Sequence, residues 1–338
     1  MSISGKTRIL IAKTTHLGDV VIALPLAGVL KFYYPETQIL FLSRGAGCDI
    51  ARRYVFIDEV YDADYIKTAA DLKACQADIF IQVNPEKRLA AMAKEAGIPV
   101  RIGSIYRVYH WFLCNRHAII GRAWEGLNKR QLDLHYLKPL GLKQPFSLQD
   151  LTFLYQFKSK LLPEPWKAVM ASEKIRIILH PSSITAKNYQ WPLKYYAELI
   201  HALDPGRFQV FITGVESDRA YLADFLAQMQ GKVVDTVGQM NVDELITFIS
   251  HCDVLIAGST GPLHLAAALG IHAIGIYRAN LSYICRWKPV GKKVMILAGQ
   301  GNCRCCPTGD PCQCILAVTP EKVRDAVLQF SMLREPSE

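Results

Sequence analysis

Short apolar runs alternate with longer amphipathic stretches along the whole chain. This is the pattern of a parallel α/β fold, in which each strand is followed by a helix that covers the sheet. In the first half the strand-like runs are Arg8–Lys13, Gln38–Ser43, Asp78–Val83 and a short one at Pro99–Gly103. Helical periodicity fills about 19–33, 65–75 and 86–96, and Pro35 follows the first of these, as expected beyond a helix end. The second half repeats the theme, with strands expected at Lys174–His180, Phe208–Thr213, Gly231–Asp235, Asp253–Ala257 and His272–Ile276. Helices are expected at about 192–203, 216–229, 242–250 and 262–269, and a last amphipathic stretch begins at Pro320.

Between the halves, Pro145, Pro163 and Pro165 break residues 143–166, which places a linker near 155–165. A chain of 338 residues suits two domains at ~100–200 residues each. The expected architecture is two Rossmann-like, doubly wound α/β domains, 1–160 and 161–320, facing each other across a cleft. The C-terminal helix, 321–338, is free to pack back on the first domain.

Hydrophobic residues at 51% against 20% charged exclude disorder as the main state. Thirty-nine basic against 30 acidic side chains leave a net charge of +9, which favours an acidic partner: nucleic acid, an anionic membrane face or a phosphorylated substrate. No segment reaches the ~18–20 unbroken apolar residues of a membrane span. Val20–Leu30 is interrupted by Pro25 and Gly28 and stops at Lys31, and Ile9–Ala12 is too short for a signal-peptide core. The expected location is therefore cytoplasmic, where ten cysteines suggest thiols or a metal site before disulfides.

In open parallel sheets, ligands meet the carboxyl ends of the strands. The first such loop is Lys13-Thr-Thr-His16-Leu-Gly18-Asp19, which lacks the Gly-x-Gly-x-x-Gly dinucleotide fingerprint. Asp19 can be a helix N-cap, or a carboxylate held ionised by the helix end and able to act as a general base. In the second half, Ala257-Gly-Ser259-Thr260-Gly261-Pro262-Leu-His264 joins a strand to a helix, with Pro262 suited to the first turn. Exposed N–H groups at Thr260 and Gly261 make an anion site, and His264 can reach a phosphate or leaving-group oxygen. The loop His180-Pro-Ser-Ser183-Ile-Thr185-Ala-Lys187 offers hydroxyls and one lysine, either as part of a diphosphate cradle or as a solvated surface; it has no Walker pattern.

Residues 101–130 hold Arg101, Arg107, Arg116, Arg122, Lys129 and Arg130 against Glu125 alone, interleaved with Tyr106, Tyr109, Trp111, Phe112 and Trp124. This is either a solvated face or a patch for a phosphorylated, lipid-anchored acceptor; basic-aromatic mixing also suits single-stranded nucleic acid. Cys303, Cys305, Cys306, Cys312 and Cys314 crowd into twelve positions, where a metal site, a disulfide or plain loop thiols all remain open.

With these residues in view, the chain resembles glycosyltransferase family 9, the heptosyltransferase-like enzymes of lipopolysaccharide core assembly. The likeness rests on Leu17-Gly-Asp19 with Leu24-Pro25, on Gly214 before an acidic helix start, on Trp191-Pro192, and above all on Ser259-Thr-Gly-Pro-Leu-His264-Leu-Ala-Ala-Ala. The resemblance implies the GT-B arrangement and inversion at the anomeric carbon with no obligatory catalytic metal or other cofactor. It also implies a nucleotide-diphospho-sugar donor such as ADP-heptose. Asp19 matches the base and Lys187 the donor-phosphate lysine. Ser183, Thr185, Ser259, Thr260, Gly261 and His264 fall on the donor diphosphate, and Glu216 or Asp218 near the donor ribose. His16, Gly18, Arg101, Arg107 and Arg116 are expected on the acceptor side. Two departures are Ser259, where many members carry Asp, and Lys187, four positions before Trp191 instead of two. The implied partners are the donor and a phosphorylated glycolipid or oligosaccharide acceptor at the inner face of the inner membrane, with no nucleic acid. The alternatives are another nucleotide-sugar-modifying Rossmann enzyme, or a non-catalytic protein binding nucleic acid or anionic lipid.

Overall fold

The computed structural model describes residues 3, 6–120, 126–143, 145–182, 190–300, 303 and 312–332, with the side chains of 331 and 332 excepted. The chain divides into two units, Met1–Ser159 and Lys160–Glu338.

The first unit is built on six parallel strands: β1 Arg8–Ala12, β2 Gln38–Ser43, β3 Glu59–Asp62, β4 Ile79–Gln82, β5 Val100–Ser104 and β6 Arg116–Ala118. Their order is β3-β2-β1-β4-β5-β6. The central strands are apolar on both faces because helices cover both; Ile9, Leu10 and Ile11 are fully buried, as are Leu40, Phe41 and Leu42 beside them. Two strands escape the apolar pattern. β3 reads Glu-Val-Tyr-Asp and β6 Arg-His-Ala, and both lie at sheet edges, where one side needs no apolar neighbour. The expected helix over 19–33 is two helices, Leu17–Ala23 and Pro25–Tyr33, with Pro25 opening the second. A further helix, Ala46–Arg53, hides behind its glycines.

The second unit repeats the winding. Its strands are β7 Ile175–His180, β8 Phe208–Ile212, β9 Val234–Asp235, β10 Val254–Ala257, β11 His272–Tyr277 and β12 Val294–Ala298, in the order β12-β11-β10-β7-β8-β9. Counted from its own first strand, this is the same 3-2-1-4-5-6 succession as in the first unit. The linker expected near 155–165 begins later. The chain up to Lys158 is stitched to the first unit through Val55 N–H to the Gln156 carbonyl (3.0 Å) and Lys158 N–H to the Arg53 carbonyl (2.7 Å). The C-terminal helix Pro320–Met332 packs within the second unit, against the helix Leu193–Ala202, and sinks Val323, Ala326 and Val327 into that unit's core. The indole N–H of buried Trp191 donates to the Val318 carbonyl (2.6 Å), joining the loop before that helix to residues far back in the chain.

Gly291 marks a close approach to the helix Gly261–Leu269: a Cβ there would stand 2.2 Å from the Ala267 carbonyl oxygen. At the end of β7, His180 is buried with its Nδ1 3.0 Å from Thr213 Oγ1. Burial holds its imidazole down to about 4.

Two outcomes follow. Gly291→Ala drives a methyl group into helix backbone and is expected to lower unfolding free energy by ~1–3 kcal/mol in urea titrations. His180 stays neutral in the folded chain while its unfolded counterpart takes a proton below ~6.5. Its contribution is thus complete above that value and is lost as pH falls toward about 4. Over that window it amounts to something on the order of 3 kcal/mol. Urea midpoints measured from pH 7 to 4 should fall less steeply in His180→Asn than in the parent chain.

Candidate functional site

In a 3-2-1-4-5-6 sheet the chain reverses direction beside its first strand, and the loops leaving the two strands on either side of the reversal part to leave a crevice. In the first unit those are the loops after β1 and β4. They are tied together through polar groups. Thr14 N–H donates to Asn84 Oδ1 (2.7 Å), Asn84 Nδ2 donates to Thr14 Oγ1 (2.9 Å), and Thr14 Oγ1 donates to Glu86 Oε2 (3.0 Å). Arg44 clasps the other Glu86 oxygen at 2.9 Å.

Asp19 stands in the first turn of Leu17–Ala23, a helix whose N-cap position belongs to His16. The N-cap reading of Asp19 therefore falls: it lies three residues inside, and no side chain caps this end. Its carboxylate is partly exposed and 3.9 Å from the ammonium of Lys13, which is itself only 4 % exposed. Burial lowers the Lys13 pKa, while Asp133 and, more weakly, Asp19 act against that fall. Asp133, buried on the helix Lys129–Leu134, bonds Lys129 through one oxygen, and its Oδ2 has no partner among the described residues. Lys13, Lys129, Asp133 and Asp19 thus form one charged group. Sequence patterning does not show it, because Asp133 reaches the end of β1 only through tertiary packing. The lysine that closes the apolar run of β1 is the one available signal.

Beside this group opens a cavity of about 570 Å³ lined by Val83, Pro85, Ser104, Tyr106, Arg107, Ile120, Lys129, Asp133 and Tyr136. Of the expected acceptor-side arginines, Arg107 lies here. Arg101 and Arg116 do not. They sit at the opposite, amino ends of β5 and β6, where Arg101 donates to the Leu113 carbonyl (2.9 Å) and Arg116 to that of Pro139 (2.7 Å). Arg130 is buried against Tyr155. The basic patch expected over 101–130 is therefore dispersed: three of its guanidinium groups hold the fold. Arg122, Trp124 and Glu125 lie outside the described residues. Of the expected aromatic side chains, Tyr106, Trp111 and Phe112 are exposed by 57–68% and Tyr109 is half-buried; the apolar Val108 beside them is exposed as well.

In the second unit the corresponding loops follow β7 and β10. A small pocket there is lined by His180, Pro181, Ser182, Gln190, Trp191, Tyr196, Tyr221, Gly258 and Thr260. Thr260 is the N-cap of Gly261–Leu269, with Pro262 in the first turn, yet its side chain makes no capping bond. Its Oγ1 is buried and has no partner among the described residues. An unpaired buried hydroxyl at a helix N-terminus is costly unless an acceptor fills the place, and an anionic oxygen suits both it and the backbone N–H groups. Ser259 and Gly261 flank it, half-buried; His264 is only 4 % exposed.

Glu216 and Asp218, expected as alternatives near a ribose, divide. Glu216 is exposed, 3.7 Å from Arg219 and close against Gly238. Asp218 is 1% exposed and accepts the Val215 N–H (3.0 Å), so it closes its own loop. Ser183, Thr185 and Lys187 lie outside the described residues, as do Cys305 and Cys306. Cys303, Cys312 and Cys314 lie together, their sulfurs all within 4.8 Å of one another.

The model of glycosyltransferase family 9 (heptosyltransferase) matches residues 65–315. A Haemophilus influenzae protein described as a glycosyltransferase is 25% identical over 304 residues, covering 84% of this chain and 86% of its own. Lipopolysaccharide heptosyltransferase 2 of Escherichia coli is 25% identical over 191 residues, 54% of each chain. The solved structure of E. coli ADP-heptose lipopolysaccharide heptosyltransferase II superposes with a TM-score of 0.80 at 19% identity, covering 97% of this chain and all of the other. That likeness carries the fold: two Rossmann-like units of the GT-B class. With three quarters of its length inside the family model, the chain belongs to glycosyltransferase family 9, the heptosyltransferase-type glycosyltransferases.

Proposed function

We propose that the protein transfers a heptose or related sugar, with inversion, from an ADP-sugar to a lipopolysaccharide core or similar glycan acceptor. The ADP-heptose named for the similar E. coli enzyme is the donor this reading adopts. The observation that carries it is Thr260 Oγ1, a buried hydroxyl without a partner among the described residues at the mouth of a nine-residue helix. A donor diphosphate supplies the acceptor that this hydroxyl needs, and the helix N-terminus stabilises the negative charge that grows there as the sugar–phosphate bond breaks. Exposed Glu216, at the end of the neighbouring β8, is the carboxylate available to a ribose; Asp218, spent on its own loop, is not.

On the first unit, Asp19 acts as the base. The acceptor hydroxyl attacks the anomeric carbon, its proton passes to the Asp19 carboxylate, and the nucleoside diphosphate departs with the bonding electron pair. Lys13, buried beside Asp19, pairs with that carboxylate at 3.9 Å. The 570 Å³ cavity takes the acceptor, with Arg107 and Lys129 for its phosphates and Asp133 Oδ2 for a sugar hydroxyl. The exposed Val108, Trp111 and Phe112 next to Arg107 suit peripheral contact with an anionic membrane in which a lipid-anchored acceptor resides. No metal is assigned to the transfer step.

Asp19→Asn is expected to lower turnover by ~10²–10⁴-fold with ADP affinity unchanged. Steady-state kinetics with ADP-heptose, together with calorimetric titration of ADP, check both halves; turnover equal to the parent's removes Asp19 from the chemistry. Thr260→Val fills the same volume without the hydroxyl. It is expected to weaken ADP binding by ~10-fold or more, the worth of one hydrogen bond to a charged acceptor. Unchanged ADP affinity would sink the diphosphate assignment.

A further inference from the structure

Seven of the eight cysteines in the described residues are buried or lie together, but they are not alike. Cys48, Cys75, Cys114 and Cys252 are buried singly in apolar surroundings, behaving as small core side chains. Cys303, Cys312 and Cys314 instead converge from two stretches of chain. The Sγ of Cys312 lies 3.2 Å from that of Cys303 and 3.2 Å from that of Cys314. These separations are far longer than the ~2.04 Å of a disulfide. They come close to the ~3.8 Å edge of a tetrahedron of sulfurs each about 2.3 Å from a zinc ion. Three mutually touching sulfurs also exceed what disulfide pairing can use, since any one bond leaves an odd thiol.

The surroundings suit a structural ion. Cys312 and Cys314 belong to the second unit's core with Ile315, Val318 and Trp191, while half-buried Cys303 forms the open side through which an ion enters. The backbone holds the three in place without the metal. Cys303 N–H donates to the Ala279 carbonyl (2.6 Å), just past β11, and Gly299, just past β12, approaches Cys314 so closely that a Cβ would stand 2.5 Å from its carbonyl oxygen. Cys303 lies shortly after β12, and Cys312 and Cys314 lie at the start of the short helix Gln313–Leu316.

We infer that Cys303, Cys312 and Cys314 bind a thiophilic divalent cation, Zn²⁺ or Fe²⁺, as thiolates, and that the ion ties Cys303 to the short helix Gln313–Leu316. The ion takes no part in sugar transfer. Binding releases the thiol protons and forms three metal–sulfur bonds with no change of oxidation state at sulfur. Soft thiolates select such metals over Mg²⁺ or Ca²⁺. By clamping Cys312–Leu316, the ion also steadies Val318, whose carbonyl holds Trp191 at the wall of the pocket beside Thr260.

The test uses the full chain, purified under reductant from cells and again after reconstitution with Zn²⁺ or Fe²⁺ alone, with metal content read by elemental mass spectrometry. About one equivalent per chain is expected, zinc and iron being distinguished directly. Cys303→Ser, at the half-buried position, should lose it, and Cys285→Ser, outside the group, should keep it. A second readout is independent of any variant. Maleimide labelling of Cys303 in the parent chain should be slow and should rise at least ~10-fold once a chelator removes the ion, with a lower melting temperature. Three results overturn the inference: no stoichiometric metal in either reconstitution, equal metal in Cys303→Ser, or a disulfide within the group in protein kept under reductant.

Discussion

A parallel sheet buried on both faces has to send its chain back over one face or the other after each strand, and that obligation creates the working surface of this protein. Where the winding changes direction, beside β1 in one unit and β7 in the other, two consecutive loops diverge and leave backbone groups that no crossover covers. Asp19 and Lys13 sit at the first of those points and Thr260 at the second. The rest of the molecule holds them still: fully buried strands, helices on both faces, and glycines at the closest approaches.

The two points are furnished with opposite chemistry. In the second unit the groups at Thr260 are neutral donors, a helix end and a hydroxyl, suited to an anion without carrying charge of their own. In the first unit they are ionised side chains packed against one another, Lys13 and Asp19 with Lys129 and Asp133. Buried charges of this kind persist only when paired, and one oxygen of Asp133 and one of Asp19 each have a lysine partner. In the proposed transfer, this grouping places Asp19 ahead of any acceptor.

Much of this was legible in the residues. Nine strands announced themselves as apolar runs because central parallel strands are buried on both sides. β3 and β6 stayed hidden because edge strands such as Glu59–Asp62 and Arg116–Ala118 have no such need; Val294–Ala298 is a third edge strand, which no run named in the sequence covers although its residues are apolar. The turn at Thr260 was readable from local chemistry, since strand, small residues and proline follow one another directly. The acceptor side was not. A count of charges over 101–130 cannot distinguish Arg107, which faces the cavity, from Arg101 and Arg116, which support carbonyls at the far end of the same strands. Nor can it find Asp133, whose meaning depends on where its helix lands.

The bond from Trp191 to the Val318 carbonyl has a consequence for how the molecule comes into being. On the ribosome the first unit has all six of its strands before the first strand of the second unit is made, and it can fold while that unit follows. The second unit is in a different position: Trp191, one wall of the pocket beside Thr260, is pinned by a carbonyl translated after all six strands of that unit, just ahead of a helix that fills the core behind it. A nascent chain stalled before that point has the turn at Thr260 but not the carbonyl that pins the wall beside it, so this pocket is completed only after every strand of its own sheet has been made.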